Sequence, residues 1–142
     1  MIDSKPFDVA HYDADDSAKH VVIAYLRRIG LDAQVNEDRF GVDVVAHRGE
    51  QHYQIEVEVK HAWSEAEFPF TTLHYAARKI KFAQSAVETH FFTLNHQRTH
   101  ALIVAARHLL DAPIVTKQTL YTDAEQFIEV SLACARLRSL HT

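Results

Sequence analysis

Residues 41–60 read GVDVVAHRGEQHYQIEVEVK, and this stretch decides the fold. Residues 40–46 are rich in β-branched side chains and precede a polar break at 47–50, and residues 51–60 then alternate between polar and apolar side chains through Tyr53, Ile55, Val57 and Val59. Such alternation is typical of a β-strand with two different faces, so the pattern predicts a β-hairpin that turns near Gly49. The apolar residues of the second strand have odd numbers, which places Glu56, Glu58 and Lys60 together on the opposite face.

Asp43 stands in the middle of the apolar run Val42–Val45, where a carboxylate needs a partner or water. A hairpin centred on Arg48–Gly49 would place Asp43 opposite Gln54, on the same face as Glu56 and Glu58. Carboxylates that converge repel one another, and a divalent cation, a raised pKa or a nearby ammonium relieves the repulsion. Mg²⁺ often takes one or two carboxylates together with phosphate oxygens, so the pattern indicates metal-assisted phosphodiester hydrolysis.

The remaining pattern predicts helices and strands in alternation. Apolar residues at helical spacing predict a first helix from the candidate N-caps Asp15, Asp16 and Ser17 to about Ile29, with Gly30 just beyond its end. Further helices are predicted over 75–87 and 134–140, with a helical turn at 109–110. Strands are predicted over 33–35, 90–94, 101–106 and 126–132, and a loop over 61–72. The order α-β-β-β-α-β-β predicts a mixed α/β fold.

Composition limits the class of protein. The chain has 142 residues, 47% of them hydrophobic and 24% charged, with three glycines and three prolines, which predicts one globular domain over 1–142 without a linker. One cysteine, Cys134, excludes an intramolecular disulfide, so we expect a reducing, cytoplasmic location. The longest apolar runs, Val21–Leu26 and Ala101–Ala106, are too short to cross a bilayer, so we expect neither secretion nor membrane insertion.

Charge is distributed unevenly along the chain. The net charge is −4, but residues 1–16 carry five acids against one lysine, and residues 50–67 again carry five acids against one lysine. The other residues carry nine acids and thirteen bases. The acidic total therefore argues against coating nucleic acid by bulk charge, and leaves local binding of DNA open.

The arrangement of Asp43, fourteen intervening residues and Glu58-Val59-Lys60 on a hairpin resembles the PD-(D/E)xK, or restriction-endonuclease-like, nuclease superfamily. The resemblance covers about residues 16–106 and leaves 107–142 as an extension. It implies an α-β-β-β-α-β core in which a mixed central sheet is flanked by helices. It also implies a metal-dependent endodeoxyribonuclease, which would bind DNA and, at this size, act as a homodimer.

The resemblance assigns roles to individual residues. Asp43, Glu58 and the backbone carbonyl of Val59 would bind Mg²⁺, or Mn²⁺ in its place, and Lys60 would orient or activate the attacking water. Glu56 is kept as an accessory carboxylate. Many members of the superfamily carry a glutamate on the first helix, whereas the inward positions here hold Ala18, Lys19 and Val22, and Asp15 or Asp16 would have to substitute.

Two alternatives remain open for the carboxylates and Lys60. The chain could be a non-catalytic nucleic-acid- or protein-binding module on the same fold, since the glutamate of the first helix is missing. The glutamates and Lys60 could also form a solvated stripe on an edge strand.

Basic and aromatic residues outside the hairpin extend the predicted site. Substrate phosphates would be held by the basic residues of the second predicted helix, Arg78, Lys79 and Lys81, although solubility alone also explains them. Gln84 is an accessory polar residue near the substrate. Aromatic residues of the predicted loop could stack on bases or pack over the sheet: Trp63, Phe68 and Phe70.

Histidines give a further metal hypothesis. His96 and His100 have the i, i+4 spacing that binds zinc on a helix, but they fall in a predicted turn. His61 and His74 lie closer to the predicted substrate, and solvated loop histidines are the alternative for both.

Overall fold

The computed structural model describes residues 9–38, 41–117 and 124–141. Its elements are α1 (Val9–Arg28), β1 (Asp32–Val35), β2 (Val44–Arg48), β3 (Gln51–Lys60), β4 (Thr72–Ala76), α2 (Ile80–Ala83), β5 (Glu88–Asn95), β6 (His100–Ala105), β7 (Ile114–Lys117), β8 (Glu125–Ser131) and β9 (Ala135–Ser139). Short 3₁₀ turns cover Ala77–Lys79, Ala106–Leu109 and Leu132–Cys134. The mixed α/β class is confirmed.

Two sheets organise the described residues. The larger sheet has six strands in the order β1-β2-β3-β5-β6-β9, and a smaller sheet has the order β4-β8-β7. Only β3 and β5 run parallel, and every other pair is antiparallel. β3 is therefore an interior strand between β2 and β5, and the alternative that its glutamates lie on an edge strand is wrong.

The six-stranded sheet is covered on both faces. Helix α1 packs on one face, where buried residues such as Val22 and Leu26 meet Val44, Phe92 and Leu94. The opposite face carries a second buried cluster, which joins the large sheet to the small sheet and includes Trp63, Leu73, Tyr75, Phe91, Leu102, Val104, Ile128 and Val130. Alternation along β5 explains the division, because Phe91 and Phe92 point to opposite faces.

Helix α1 ends where the sequence predicts and begins earlier. Gly30 N–H donates to the Arg27 carbonyl at 3.1 Å and Leu31 N–H donates to the Leu26 carbonyl at 3.0 Å, with φ of +99° at Gly30. This is the Schellman motif, in which glycine adopts the left-handed conformation at C′. The helix extends back to Val9, so Asp15, Asp16 and Ser17 lie inside it, and their assignment as N-caps is wrong.

The hairpin is confirmed with a corrected register. Arg48 pairs with Gln51 and Val44 with Ile55, so Gly49 and Glu50 form a two-residue loop. Gly49 has φ of +60°, as the first central residue of a type II′ turn requires. A hairpin centred on Arg48–Gly49 would have those two residues as its loop, whereas the observed loop lies one residue later; Gln54 therefore pairs with Val45, and its predicted pairing with Asp43 is wrong.

Two predicted helices are wrong because distant strands pair with those segments. Residues 75–87 contain the end of β4, a 3₁₀ turn and the four-residue helix α2, since β4 pairs with β8 more than fifty residues away. Strand β4 begins at Thr72, the last residue of the predicted loop 61–72. Residues 135–139 form β9 instead of a terminal helix, because they pair with the open edge of β6.

The other strand predictions are confirmed within a few residues. β1, β3, β5, β6 and β8 cover the predicted strands, and a 3₁₀ turn lies at the predicted helical turn near Leu109. β7 is a strand that the sequence pattern did not predict. Cys134 is free and half-buried. Among the described residues, no helix has the length and apolar character needed to cross a membrane.

Candidate active site

Asp43 is held tightly at the start of β2. Its N–H donates to the Ile55 carbonyl at 3.1 Å, and its carbonyl accepts from the Asn36 N–H at 3.0 Å. Its side chain also joins the ladder, since Oδ2 accepts a hydrogen bond of 2.8 Å from the Val57 N–H of β3. The backbone and one carboxylate oxygen are thus fixed, which leaves Oδ1 to face other partners.

The corrected register brings Glu56 next to Asp43. Asp43 directly precedes Val44, the first residue of β2 to pair with β3, and its hydrogen bonds to Ile55 and Val57 place it beside Glu56. Glu58 lies two residues further along β3, on the same face as Glu56. The Glu56 side chain is only 11% exposed, whereas that of Glu58 is 41% exposed. Burial, reinforced by the negative charges of Asp43 and Glu58, raises the pKa of Glu56, while Lys79 opposes the shift.

Lys79 supplies the ammonium that lies between the two glutamates. Its Nζ is 3.4 Å from Glu56 Oε2 and 3.6 Å from Glu58 Oε2, and its side chain is 16% exposed. The residue ends the 3₁₀ turn that directly follows β4, so the small sheet positions this amine. The sequence predicts Lys79 as a phosphate contact; the structure places it against the carboxylates.

Lys19 supplies a second ammonium from α1. Its Nζ is 3.6 Å from Asp43 Oδ1. Lys19 occupies one of the inward helix positions at which the superfamily resemblance leads one to look for a glutamate. Asp16, one turn earlier, lines a cavity of about 440 Å³ together with Lys19, Asp38 and Asp43. Asp15 lies outside the residues whose side chains the structure describes.

Lys60 is directed to an aromatic ring. Its Nζ lies 5.0 Å from the centroid of the Phe70 ring, a cation–π distance. Among the described residues, Lys60 makes no ion pair with Asp43, Glu56 or Glu58. Val59 pairs with Leu94 of β5 and packs against the α1 core. The structure therefore brings together Asp43, Glu56, Glu58 and Lys79, but leaves the Lys60 amine beside Phe70.

The other residues predicted to contact substrate lie against other parts of the structure. Arg78 lines a separate cavity with Thr116 and Glu125 of the small sheet, and Lys81 Nζ lies 5.0 Å from the centroid of the Phe82 ring. Gln84 is exposed and caps α2 with a backbone hydrogen bond to Lys81.

The predicted loop aromatics form a stacked chain. Trp63 is fully buried and meets Phe68 edge to face at a centroid distance of 5.1 Å, and Phe68 meets Phe70 at 5.5 Å. Trp63 therefore packs in the second core, as the packing alternative predicts. Phe70, at the outer end of the chain, is exposed.

The histidines make contacts other than the His96–His100 pair that the zinc hypothesis requires. His96 Nδ1 lies 3.0 Å from His61 Nδ1, whereas His100 Nδ1 lies 2.9 Å from the Thr99 hydroxyl. His74 contacts Glu129 and Lys117 on the small sheet. In the part of the chain that the structure describes, no three or more His, Cys, Asp or Glu side chains are grouped closely enough to hold a metal by themselves.

The carboxylates nonetheless fit a Mg²⁺ ion that takes water and phosphate oxygens as its other ligands. Mg²⁺ is bound through one or two carboxylates in many phosphoryl-transfer sites, and Asp43 is hydrogen-bonded to Ile55 and Val57, the two neighbours of Glu56 in β3. Burial and the negative charges of Asp43 and Glu58 raise the pKa of Glu56, and a divalent cation would relieve the repulsion between these charges. Asp43 and one β3 glutamate are the residues that would hold it.

Sequence reasoning missed the roles of Lys19 and Lys79 at this site. The preference for glycine at the first central position of a type II′ turn would have placed the loop at Gly49–Glu50 and given the correct register. No comparable local signal identifies Lys79, because its position depends on the pairing of β4 with β8.

Comparison with known proteins finds a likeness at the level of structure. No family model matches the chain, and no curated protein matches it. The structure is similar to that of Hjc, a Holliday junction resolvase from the archaeal hyperthermophile Archaeoglobus fulgidus, with a TM-score of 0.54 and 15% sequence identity over 85% of this chain and 86% of that chain. At this identity the likeness shows the fold, and it confirms the predicted restriction-endonuclease-like architecture.

Proposed function

We propose that the protein is a Mg²⁺-dependent nuclease that hydrolyses phosphodiester bonds of DNA. The observation that carries the proposal is the carboxylate cluster: Asp43 is hydrogen-bonded to the residues on both sides of Glu56, and the Lys79 amine lies between Glu56 and Glu58. The fold shared with a Holliday junction resolvase supports DNA as the substrate. Mn²⁺ is expected to replace Mg²⁺, since both prefer oxygen ligands.

The side chains suit this chemistry. A bound Mg²⁺ polarises a phosphate and lowers the pKa of a water molecule that it binds. Asp43 is oriented by its hydrogen bond from Val57, so it needs little rearrangement to bind a cation. Lys79 is within reach of both glutamates and would stabilise negative charge that develops on the phosphate. Lys60 keeps the predicted role of serving the water, which requires its amine to leave Phe70.

Charge balance also supports the proposal. With all three carboxylates ionised, Lys19 and Lys79 leave one net negative charge in the group. A divalent cation would turn this into one net positive charge, which is complementary to a DNA phosphate. Because a chain of 142 residues offers little surface to hold a duplex, we also propose that it acts as a homodimer, which sedimentation velocity with and without DNA would reveal.

The same lysines favour a second candidate function. Each of the three carboxylates already has an ammonium within 4 Å, as a site that no longer binds metal would require. The protein would then be a non-catalytic module that binds nucleic acid or another protein through this fold.

A cleavage assay separates the two candidates. Supercoiled plasmid, single-stranded DNA and a four-way junction are incubated with the purified protein in Mg²⁺, Mn²⁺ or EDTA. The nuclease proposal predicts cleavage that needs the metal and falls about 100-fold or more in Asp43→Asn, since metal stabilisation is worth several kcal/mol. Glu50→Gln is the matched control, because it removes one carboxylate at the exposed opposite end of the same hairpin. Absence of metal-dependent cleavage with retained DNA binding would refute the nuclease and support the binding module.

A further inference from the structure

A cavity lined by arginines lies on the opposite face of the large sheet from Glu56 and Glu58. It has a volume of about 560 Å³ and is lined by Arg107, His108, Arg136 and Arg138, with Tyr25 of α1 at its side. Arg136 pairs with Ile103, which packs against the α1 core, so these arginines lie on the α1 face. Glu56 and Glu58 instead lie beside Phe91 and Thr93, on the face of the small sheet.

The arginines have no acidic partners. Among the described residues, Arg107, Arg136 and Arg138 have no carboxylate within 4.0 Å, and all three are exposed. The one acidic residue that lines the cavity, Glu88, is bound to His90 at 2.6 Å. Three permanently charged guanidinium groups against one paired carboxylate make this a site for an anion.

Strand β9 carries two arginines along one of its sides. Arg136 and Arg138 are two residues apart and therefore point to the same side, whereas Leu137 points to the other. Both arginines belong to the outermost strand of the sheet, so an extended ligand can run along them without meeting another element of the large sheet. A row of guanidinium groups with planar donor forks is suited to successive phosphates.

We propose that this arginine-lined cavity binds the phosphate backbone of a DNA segment other than the one at the carboxylate site. β9 is three strands from β3, which is about 14 Å at the usual spacing between strands, and lies on the other face, so one short segment cannot occupy both places. The inference rests on the proposed function and deepens it. A second phosphate contact would strengthen DNA binding by a chain whose negative net charge opposes that binding. Arginines on an edge strand also prevent edge-to-edge aggregation, and the experiment distinguishes that role.

The test measures DNA binding in EDTA, where cleavage is not required. Fluorescence anisotropy gives the Kd of a labelled 30-base-pair duplex and of a four-way junction for Arg136→Gln/Arg138→Gln over a series of NaCl concentrations. Each lost phosphate contact lowers the slope of log K against log salt by about 0.9 and weakens binding about fivefold at 0.15 M salt. Lys117→Gln, which removes one exposed positive charge on the small sheet, is the control and is expected to leave the slope nearly unchanged.

The outcomes are separable from those of the cleavage assay. A slope reduced by about two units in the double variant supports the cavity as a DNA site, whether or not the wild-type protein cleaves DNA. A double variant whose slope and Kd equal those of Lys117→Gln overturns the inference. Aggregation of the double variant with an unchanged slope also overturns it, and assigns the arginines to protection of the edge.

Discussion

Replacement of Lys79 by methionine tests whether this ammonium keeps the buried glutamate charged. Methionine is close to lysine in length and packs in the same space, but it removes the charge that lies 3.4 Å from Glu56 Oε2. The Coulomb attraction at that distance is about 5 kcal/mol at an effective dielectric constant of 20. Breaking a buried ion pair by removing one partner costs about 3–5 kcal/mol. Since both side chains keep a little exposure, we expect Lys79→Met to lower the free energy of unfolding by about 2–3 kcal/mol at pH 8.

The loss should depend on pH with a definite sign. The pKa of Glu56 is already raised above its ordinary value in the folded protein, and removal of Lys79 takes away the charge that lowers it. The folded state then binds a proton more tightly than the unfolded state, so stability falls as pH rises from the unfolded pKa of Glu56 through its folded pKa. The difference between the wild type and Lys79→Met should therefore be small near pH 4.5 and grow toward pH 8.

Urea unfolding at several pH values measures this difference, with two companion variants. Lys60→Met removes an ammonium that lies over Phe70, and it should cost less than 1 kcal/mol with little change across pH. The double variant Lys79→Met/Glu56→Gln removes the buried charge together with its partner, so it should recover most of the stability that Lys79→Met loses at pH 8. A loss in Lys79→Met that is the same at pH 5 and pH 8, or that Glu56→Gln does not relieve, would refute the reasoning.

Three further predictions concern the frame that carries the site. Gly30→Ala should lower stability by about 1 kcal/mol in thermal or urea unfolding, since residue 30 has φ of +99° and an added Cβ would lie 3.2 Å from Arg48 Nη2. Asn95→Ala should cost about 2–4 kcal/mol, because this fully buried amide donates to the Glu65 carbonyl and accepts from the Thr99 N–H, and the lost partners would be left buried. Removal of divalent metal by EDTA should leave the melting temperature within about 2 °C, because lysines already neutralise most of the carboxylate charge; a fall of 10 °C would show that the fold depends on metal.

The sequence predicts those parts of the fold that depend on neighbours along the chain. The end of α1 is encoded by Gly30 and by apolar spacing over a few turns, and β3 is encoded by strict alternation over residues 52–60. Both signals are local, and both elements are found where they are predicted. The first turn of α1 lacks such a signal, because polar residues that favour N-caps also occur inside helices when the chain continues helical on their N-terminal side.

The errors lie where pairing partners are distant. Residues 135–139 become a strand because β6 offers an unpaired edge, and β4 becomes a strand because β8 lies beside it. Helical spacing over 75–87 was accidental: Leu73 and Tyr75 point inward at strand spacing, and only Ile80–Ala83 remains helical. The same error hides the role of Lys79, since a residue on a long helix and a residue in a 3₁₀ turn after a strand face different neighbours.

Lys19 and Lys79 offset much of the negative charge at and beside the acidic segment 50–67. Counted along the chain, this segment is strongly negative, yet in space Lys79 stands against two of its glutamates and Lys19 against the Asp43 that faces them. Neutralisation therefore comes from α1 and from the 3₁₀ turn after β4, and α1 and β4 cover opposite faces of the large sheet. A metal ion that binds the carboxylates would compete with these ammonium groups, so its affinity should be modest in the absence of DNA. A DNA phosphate would give Lys19 and Lys79 a new anionic partner and so free the carboxylates for the metal. Metal and DNA would then bind cooperatively, because each removes the charge that opposes the other.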